Sequence, residues 1–175
     1  SYRFFKRVWG FGHKNADALR AATAIDLSGA ALRPEAKKLR RELHLVLKQV
    51  SYDYERMQYN TVVSGCMKLL NALEDFSFDN SPGDNALRCE GMSVLVRMLY
   101  PACPHLTHAV WAELGFAAAV GDLLDAPWPV VDGPSTRRLV DLADSHTALG
   151  INPLGQTGVR FDRHYRDQAS DYLEG

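Results

Sequence analysis

The sequence predicts an all-α fold, an antiparallel helical bundle carrying an irregular C-terminal extension with one short strand. Three features point there. Apolar residues recur at three- and four-residue steps through long segments between residues 34 and 100, which lays each set along one helix face. Prolines and glycines fall where such helices would start and stop, at Pro34, Pro101, Pro104 and Gly115. Past Asp132 the periodicity gives way to Gly133, Pro134 and Ser135 and then to a series of turn residues.

Residues 2–12 read as a short helix, with Phe4, Phe5, Val8 and Trp9 on one side and Arg3, Lys6 and Arg7 on the other. Residues 13–33 are rich in Ala and Asp with little amphipathic order, and read as a loop or a ragged helix. Pro34 or Glu35 opens a strong helix reaching about Tyr54, with Leu39, Leu43, Val46, Leu47, Val50 and Tyr54 on one stripe. Lys37, Lys38, Arg40, Arg41, His44 and Lys48 fill the remaining arc; long basic stems can cover apolar surface there while their charges stay wet. Asn60 or Thr61 is a suitable N-cap for the next helix. That helix presents Val62, Val63, Cys66, Met67, Leu69, Leu70, Leu73 and Phe76, and its Ser64-Gly65 pair permits close helix approach.

Ser77 to Asp84 is a turn-forming loop. A fourth helix from about Ala86 to Tyr100 carries Met92, Leu95, Val96 and Leu99; after a short elbow, Pro104 starts another that ends at Gly115 and adds Leu106, Val110, Trp111 and Leu114. Burying about fifteen such side chains at ~1.5–3 kcal/mol each offsets most of the ordering entropy. An antiparallel bundle is the economical way to bury helices that each carry one apolar stripe. Trp9 and Trp111 read as core anchors, and Trp128, between Pro127 and Pro129, as a pin for an extended segment crossing the bundle. Arg138 to Leu142 alternates as a short strand would.

Of the 175 residues, 46% are hydrophobic and 23% charged, the balance of a soluble globular protein rather than a disordered or collagenous one. No apolar run approaches the roughly 20 residues of a bilayer-crossing helix. Ser1 to Trp9 carries three cations among aromatics, unlike a secretory signal, and a start without Met reads as a piece of a longer chain. Cys66, Cys89 and Cys103 are odd in number and far apart, so they read as reduced, mostly buried thiols of a cytoplasmic protein.

The formal net charge is −1, but residues 1–48 hold eleven Lys and Arg against only Asp17, Asp26, Glu35 and Glu42. Such a locally basic region suits phosphate contact without general polycation behaviour. Composition alone fits a solvated helix face equally well. The other constellations read as structural. His105 and His108 are three apart, a spacing able to hold zinc, but lack a third ligand at suitable spacing; no metal is expected. Asp53, Glu55 and Arg56 read as surface charges near a helix end, and Gly150 to Gly158 lacks the Lys-Ser/Thr of a phosphate loop.

Several pieces then occur in a telling order: Arg3 to Trp9, Leu43-His44, Val50 to Arg56, Tyr59 to Thr61, Leu70 to Leu73, the elbow Tyr100 to His108 leading to Trp111, and Ala126 to Pro129. With them, residues 1–132 resemble the anticodon-binding helical domain of leucyl-tRNA synthetases, a class I family. The resemblance implies a bundle that packs on the parent enzyme's catalytic core and contacts the tRNA backbone without reading leucine anticodons base by base. On this chain the tRNA-binding candidates are Arg3, Lys6 and Arg7 on the first helix, and Lys37, Lys38, Arg40, Arg41 and Lys48 on the long one. The family's nucleotide-binding signatures are absent, so the chain is expected to hold no cofactor or catalytic residue and to be inactive alone, ATP belonging to the parent enzyme.

Residues 136–175 depart from that family. Arg138 to Leu142, Gly155 to Gly158, Arg163 to Gln168 and Tyr172 to Gly175 resemble the C-terminal end of penicillin-acylase-like N-terminal-nucleophile hydrolases. Such enzymes use an N-terminal serine, and this chain begins with Ser1; Ser1 nevertheless introduces the synthetase-like run, and no catalytic role falls to it. The domains read as a tRNA-binding bundle, 1–132, and a C-terminal extension, 133–175. Two other functions stay open: a helical interaction module whose basic face meets an acidic protein or only water, and a fragment of an amide hydrolase.

Overall fold

The computed structural model describes residues 2–22, 31–134 and 136, and the regular structure among them is helical. Those residues form α1 (Tyr2–Lys14), α2 (Ala16–Ala22), α3 (Pro34–Glu55), α4 (Tyr59–Asp75), α5 (Pro82–Leu99), α6 (Pro104–Glu113) and α7 (Phe116–Val120). The chain divides into two compact units, Ser1–Asp132 and Gly133–Gly175, and all these helices belong to the first. Ser1, the alternating stretch 138–142 and the hydrolase-like tail lie outside the described residues.

The expected helices form, with boundary shifts that have local causes. α5 starts four residues early because Ser81 caps it, its Oγ accepting the Asp84 N–H at 3.3 Å, with Pro82 in the first turn. α4 starts at Tyr59 after Gln58, which makes no side-chain cap; Thr61 instead donates its hydroxyl to the Gln58 carbonyl at 2.8 Å. Within 13–33, α1 runs on to Lys14 and a short α2 buries Ala16, Leu19 and Ala22 against α5.

α5 is the axis of the bundle, packing on α2, α3, α4 and α6. Sequence periodicity gives it one stripe, but the fold buries Met92, Val94, Leu95, Val96, Met98 and Leu99 around nearly its whole circumference, as expected of a helix enclosed by others. The stripe of α3 meets Val62, Cys66, Leu69, Leu70 and Leu73 of α4. At their crossing a Cβ on Gly65 would stand 2.5 Å from Val50 Cγ2, so glycine is what permits this approach. Gly115 closes α6 at φ +80°, a left-handed position natural to glycine.

Trp111 is 1% exposed and donates its Nε1–H to the Gly121 carbonyl at 2.8 Å, a core anchor. Trp9 is not; it is 41% exposed and stacked on His13. α1 buries Phe4, Val8 and Gly12 at four-residue steps, and Trp9 lies about 100° round the helix from Val8. Trp128 pins the extended segment after α7, donating to Ser51 Oγ at 2.9 Å and meeting the Tyr54 ring edge-on at 5.1 Å. The three cysteines are free. Burial pushes the Cys66 thiol up to about 12 and Cys89 up to about 11, leaving both inert at neutral pH.

Candidate nucleic-acid interface

The basic face of α3 follows from helical geometry. Lys37, Arg41 and Lys48 fall within about 40° of one another around the axis, Lys38 adjoins them, and Lys37 to Lys48 spans roughly 16 Å of helix. Lys37, Lys38 and Lys48 are exposed. None of the ion pairs among the described residues involves them. Arg41, in the middle of the stripe, is half-buried, and its Nε and Nη2 are shielded from water without a hydrogen-bond partner. Buried donors are ordinarily satisfied, so these two are exceptions.

Arg40 does not join that face. Its guanidinium turns inward to Glu90 on α5, Nε to Oε2 at 2.9 Å and Nη2 to Oε1 at 3.1 Å, and also pairs with Asp132. His44, placed by its polarity in the solvated arc, is 2% exposed and belongs to the same network. The Asp132 N–H donates to His44 Nδ1 at 3.1 Å, which leaves the ring hydrogen on Nε2 to be donated to Glu90 Oε1 at 3.1 Å. Burial pushes the Glu90 carboxyl up, but the bonds from His44 and Arg40 outweigh it and hold it below the usual glutamate range. The network fastens the end of the extended segment to α3 and α5.

On α1, Arg3 and Lys6 are exposed, with Lys6 Nζ 4.7 Å above the Tyr2 ring. Arg7 is engaged: it pairs with Glu74 and donates to Asn71 Oδ1 at 2.6 Å, tying α1 to α4. α1 packs on α2, α4 and α6, whereas α3 packs on α4 and α5. The two basic groups therefore sit on separate helices, each flanking α4, and form no single cluster.

The other cations of the N-terminal third are largely structural. Arg20 donates to the Glu113 carbonyl and carboxylate at 3.0 Å, and Arg33 holds the buried Asp84 at 2.7 Å. The surplus seen in the sequence thus separates by residue type: most arginines staple helices, and the lysines stay in solvent. A guanidinium's forked donors suit it to the first task, but nothing local in the sequence marks which arginine has a partner fifty residues away. Asp53, read as a surface charge, is 4% exposed and accepts from Gln49 Nε2 at 2.9 Å. His108 meets Asp122 at 3.3 Å while His105 is exposed. Among the described residues no three metal-ligating side chains gather, and no helix is long and apolar enough to cross a membrane.

A family described as the anticodon-binding domain of tRNA ligase matches residues 36–148. The leucine–tRNA ligase of Leptothrix cholodnii is 66% identical over 131 residues, covering 75% of this chain and 14% of that protein. That of Polaromonas sp. JS666 is 60% identical over 134 residues, covering 75% and 15%. The chain thus spans about one-seventh of the length of the curated relatives it matches. Among solved structures, the crystal structure of the ternary complex of Agrobacterium radiobacter K84 agnB2 LeuRS-tRNA-LeuAMS shares the fold at a TM-score of 0.62, with 24% identity over 77% of this chain and 16% of that one. These likenesses lend no support to a hydrolase origin for residues 136–175.

Proposed function

We propose, because the chain belongs to the anticodon-binding domain family of tRNA ligases, that it docks tRNA as one domain of a leucine–tRNA ligase. Docking runs through phosphates, which fix register and orientation without carrying sequence information. Lys37, Lys38, Arg41 and Lys48 supply the main contacts, Arg3 and Lys6 a second group, while Arg7 and Arg40 hold the bundle together. The observation that carries this reading is the α3 face itself: Lys37, Lys38 and Lys48 are exposed and take part in no ion pair among the described residues, with Arg41 between them, an array of cations open to phosphate oxygens. The two relatives named above, both leucine–tRNA ligases, support tRNA as the partner.

In such a ligase the remaining chain would carry ATP and the aminoacylation chemistry, this bundle would pack on that catalytic core, and the whole would work in the cytoplasm. Residues 1–132 form the docking domain, and 133–175 an extension. Filter binding of a leucine tRNA transcript over a salt series tests the reading. Affinity should fall steeply with salt, and fall further when Lys37, Lys38 and Arg41 are reversed in charge; binding indifferent to both would defeat it.

A further inference from the structure

A second feature of the first unit has no place in the lysine stripe. Between α1, the end of α4 and the loop into α5 lies an open cavity of about 470 Å³. Three aromatic rings line it, Phe11, Phe76 and Phe78, together with the cations Lys14 and Arg88. Arg7 and Glu74 are there too, but they pair with each other and cancel. Two positive charges are left uncompensated by that pair. Lys14 is exposed and takes part in no ion pair formed among the described residues.

Arg88 is the unusual member. It is only 5% exposed, yet its Nε has no hydrogen-bond partner. Its guanidinium carbon lies 4.4 Å over the Phe78 ring, and Nη2 reaches Asn80 Oδ1 at 3.2 Å. Burial works against its charge, and Asp84 offsets this only in part. A buried, charged and incompletely bonded arginine at the wall of a cavity calls for an anion. The rings beside it are partly engaged, with Arg33 4.9 Å over Phe76 and Phe76 meeting Phe78 edge-on at 4.8 Å; the π surface they leave, with Phe11, suits a flat group, because stacking on phenylalanine tolerates any base. One ligand carries both at this size.

We propose that this cavity binds a single unstacked nucleotide, its phosphate set against Arg88 and Lys14 and its base against Phe11, Phe76 and Phe78. The volume falls in the range of small-molecule sites, and protein recognition of single-stranded RNA regularly pairs splayed bases with aromatic side chains. The inference deepens the tRNA-docking reading and rests on it only for the source of the nucleotide, which is either a base turned out of the tRNA or a free mononucleotide.

Gly10 provides the test. It lines the cavity, and a Cβ built there meets nothing within 4 Å, so Gly10→Leu fills the space while favouring α1. Adenosine monophosphate is titrated into the full chain while amide NMR signals are followed, and tRNA affinity is measured by filter binding. Shifts confined to the cavity residues, lost in Gly10→Leu, are the expected result. If the nucleotide belongs to tRNA, Gly10→Leu and Phe78→Leu also weaken tRNA binding roughly tenfold; unchanged tRNA affinity in both variants, with AMP shifts present in the wild type and lost in Gly10→Leu, assigns the site to a free nucleotide. No AMP-dependent shift at the cavity, whatever happens to tRNA binding, overturns the proposal, as do shifts that persist in Gly10→Leu. A flat salt dependence of tRNA binding would sink the docking reading alone and leave the AMP result standing.

Discussion

Arg40 of α3 grips Glu90 of α5 with two parallel hydrogen bonds, at 2.9 and 3.1 Å, fifty residues apart in sequence. Each side chain is about one-fifth exposed, so each depends on the other for much of its solvation. Removing one partner leaves the other short of hydrogen bonds, although Arg40 keeps Asp132 and Glu90 keeps His44. Glu90→Gln should destabilise the bundle by about 2–3 kcal/mol, somewhat below the value for fully buried pairs, as read by urea unfolding. Arg40→Met should leave the salt dependence of tRNA binding as it is; a shallower dependence would return Arg40 to the interface.

Glu90 also gives the stability a defined pH dependence. Its folded-state pKa is held below its unfolded value, which is near ~4.3. Its ionisation therefore stabilises the fold fully above about pH 4.3, and that contribution is lost as pH falls through the lower folded value. Thermal melts from pH 7 downward should show the gap between wild type and Glu90→Gln narrowing below about pH 4. A gap constant with pH would mean that the carboxylate charge is not what the network uses.

The α3–α4 crossing makes a packing prediction. Gly65→Ala puts a methyl 2.5 Å from Val50 Cγ2, and such overpacking costs about 1–3 kcal/mol. Adding Val50→Ala should recover part of that loss, since the two changes share one contact. Leu43→Ala and Leu70→Ala, at fully buried positions, should each cost roughly 2–5 kcal/mol. Strictly additive Gly65 and Val50 effects in urea titrations would show that the two helices do not meet as described.

The two units invite a deletion. If 133–175 is an appendage to the docking domain, removing residues 137–175 should shift the bundle's Tm by no more than roughly 2 °C, corresponding to a few tenths of a kcal/mol. A cooperative loss of helical circular dichroism on that deletion would make the tail integral.

The fold was legible where hydrophobic period carried it. α3 and α4 were readable because Leu39, Leu43, Leu47 and Val50, and then Val62, Cys66, Leu69 and Leu73, keep a helical step over several turns. α2 was not, because two of its three buried residues are alanines, whose small apolar surface gives periodicity little amplitude. Trp9 misled because size suggested an anchor, while the buried positions of α1 run through Phe4, Val8 and Gly12. On the basic face the exposure of the lysines was readable, since an exposed lysine needs no partner to stay where it is. Two of the arginines were not. Arg7 and Arg40 take their roles from Glu74 and Glu90, residues that only the tertiary fold brings near. The same holds for His44, whose polarity suggested solvent and whose burial depends on the network of Arg40, Glu90 and Asp132.

The lysine stripe is the central claim, and the salt dependence of tRNA affinity tests it most directly. Filter-binding isotherms for a leucine tRNA transcript, measured at several salt concentrations, give a logarithmic slope set by the number of phosphates neutralised. We expect a clear negative slope for the wild type, shallower by about one for each of Lys37, Lys38 and Arg41 replaced by a neutral residue. Replacing Arg7 or Arg40, engaged with Glu74 and with Glu90 and Asp132, should leave it unchanged. A slope near zero, or one that survives loss of all three α3 cations, would contradict docking through this face.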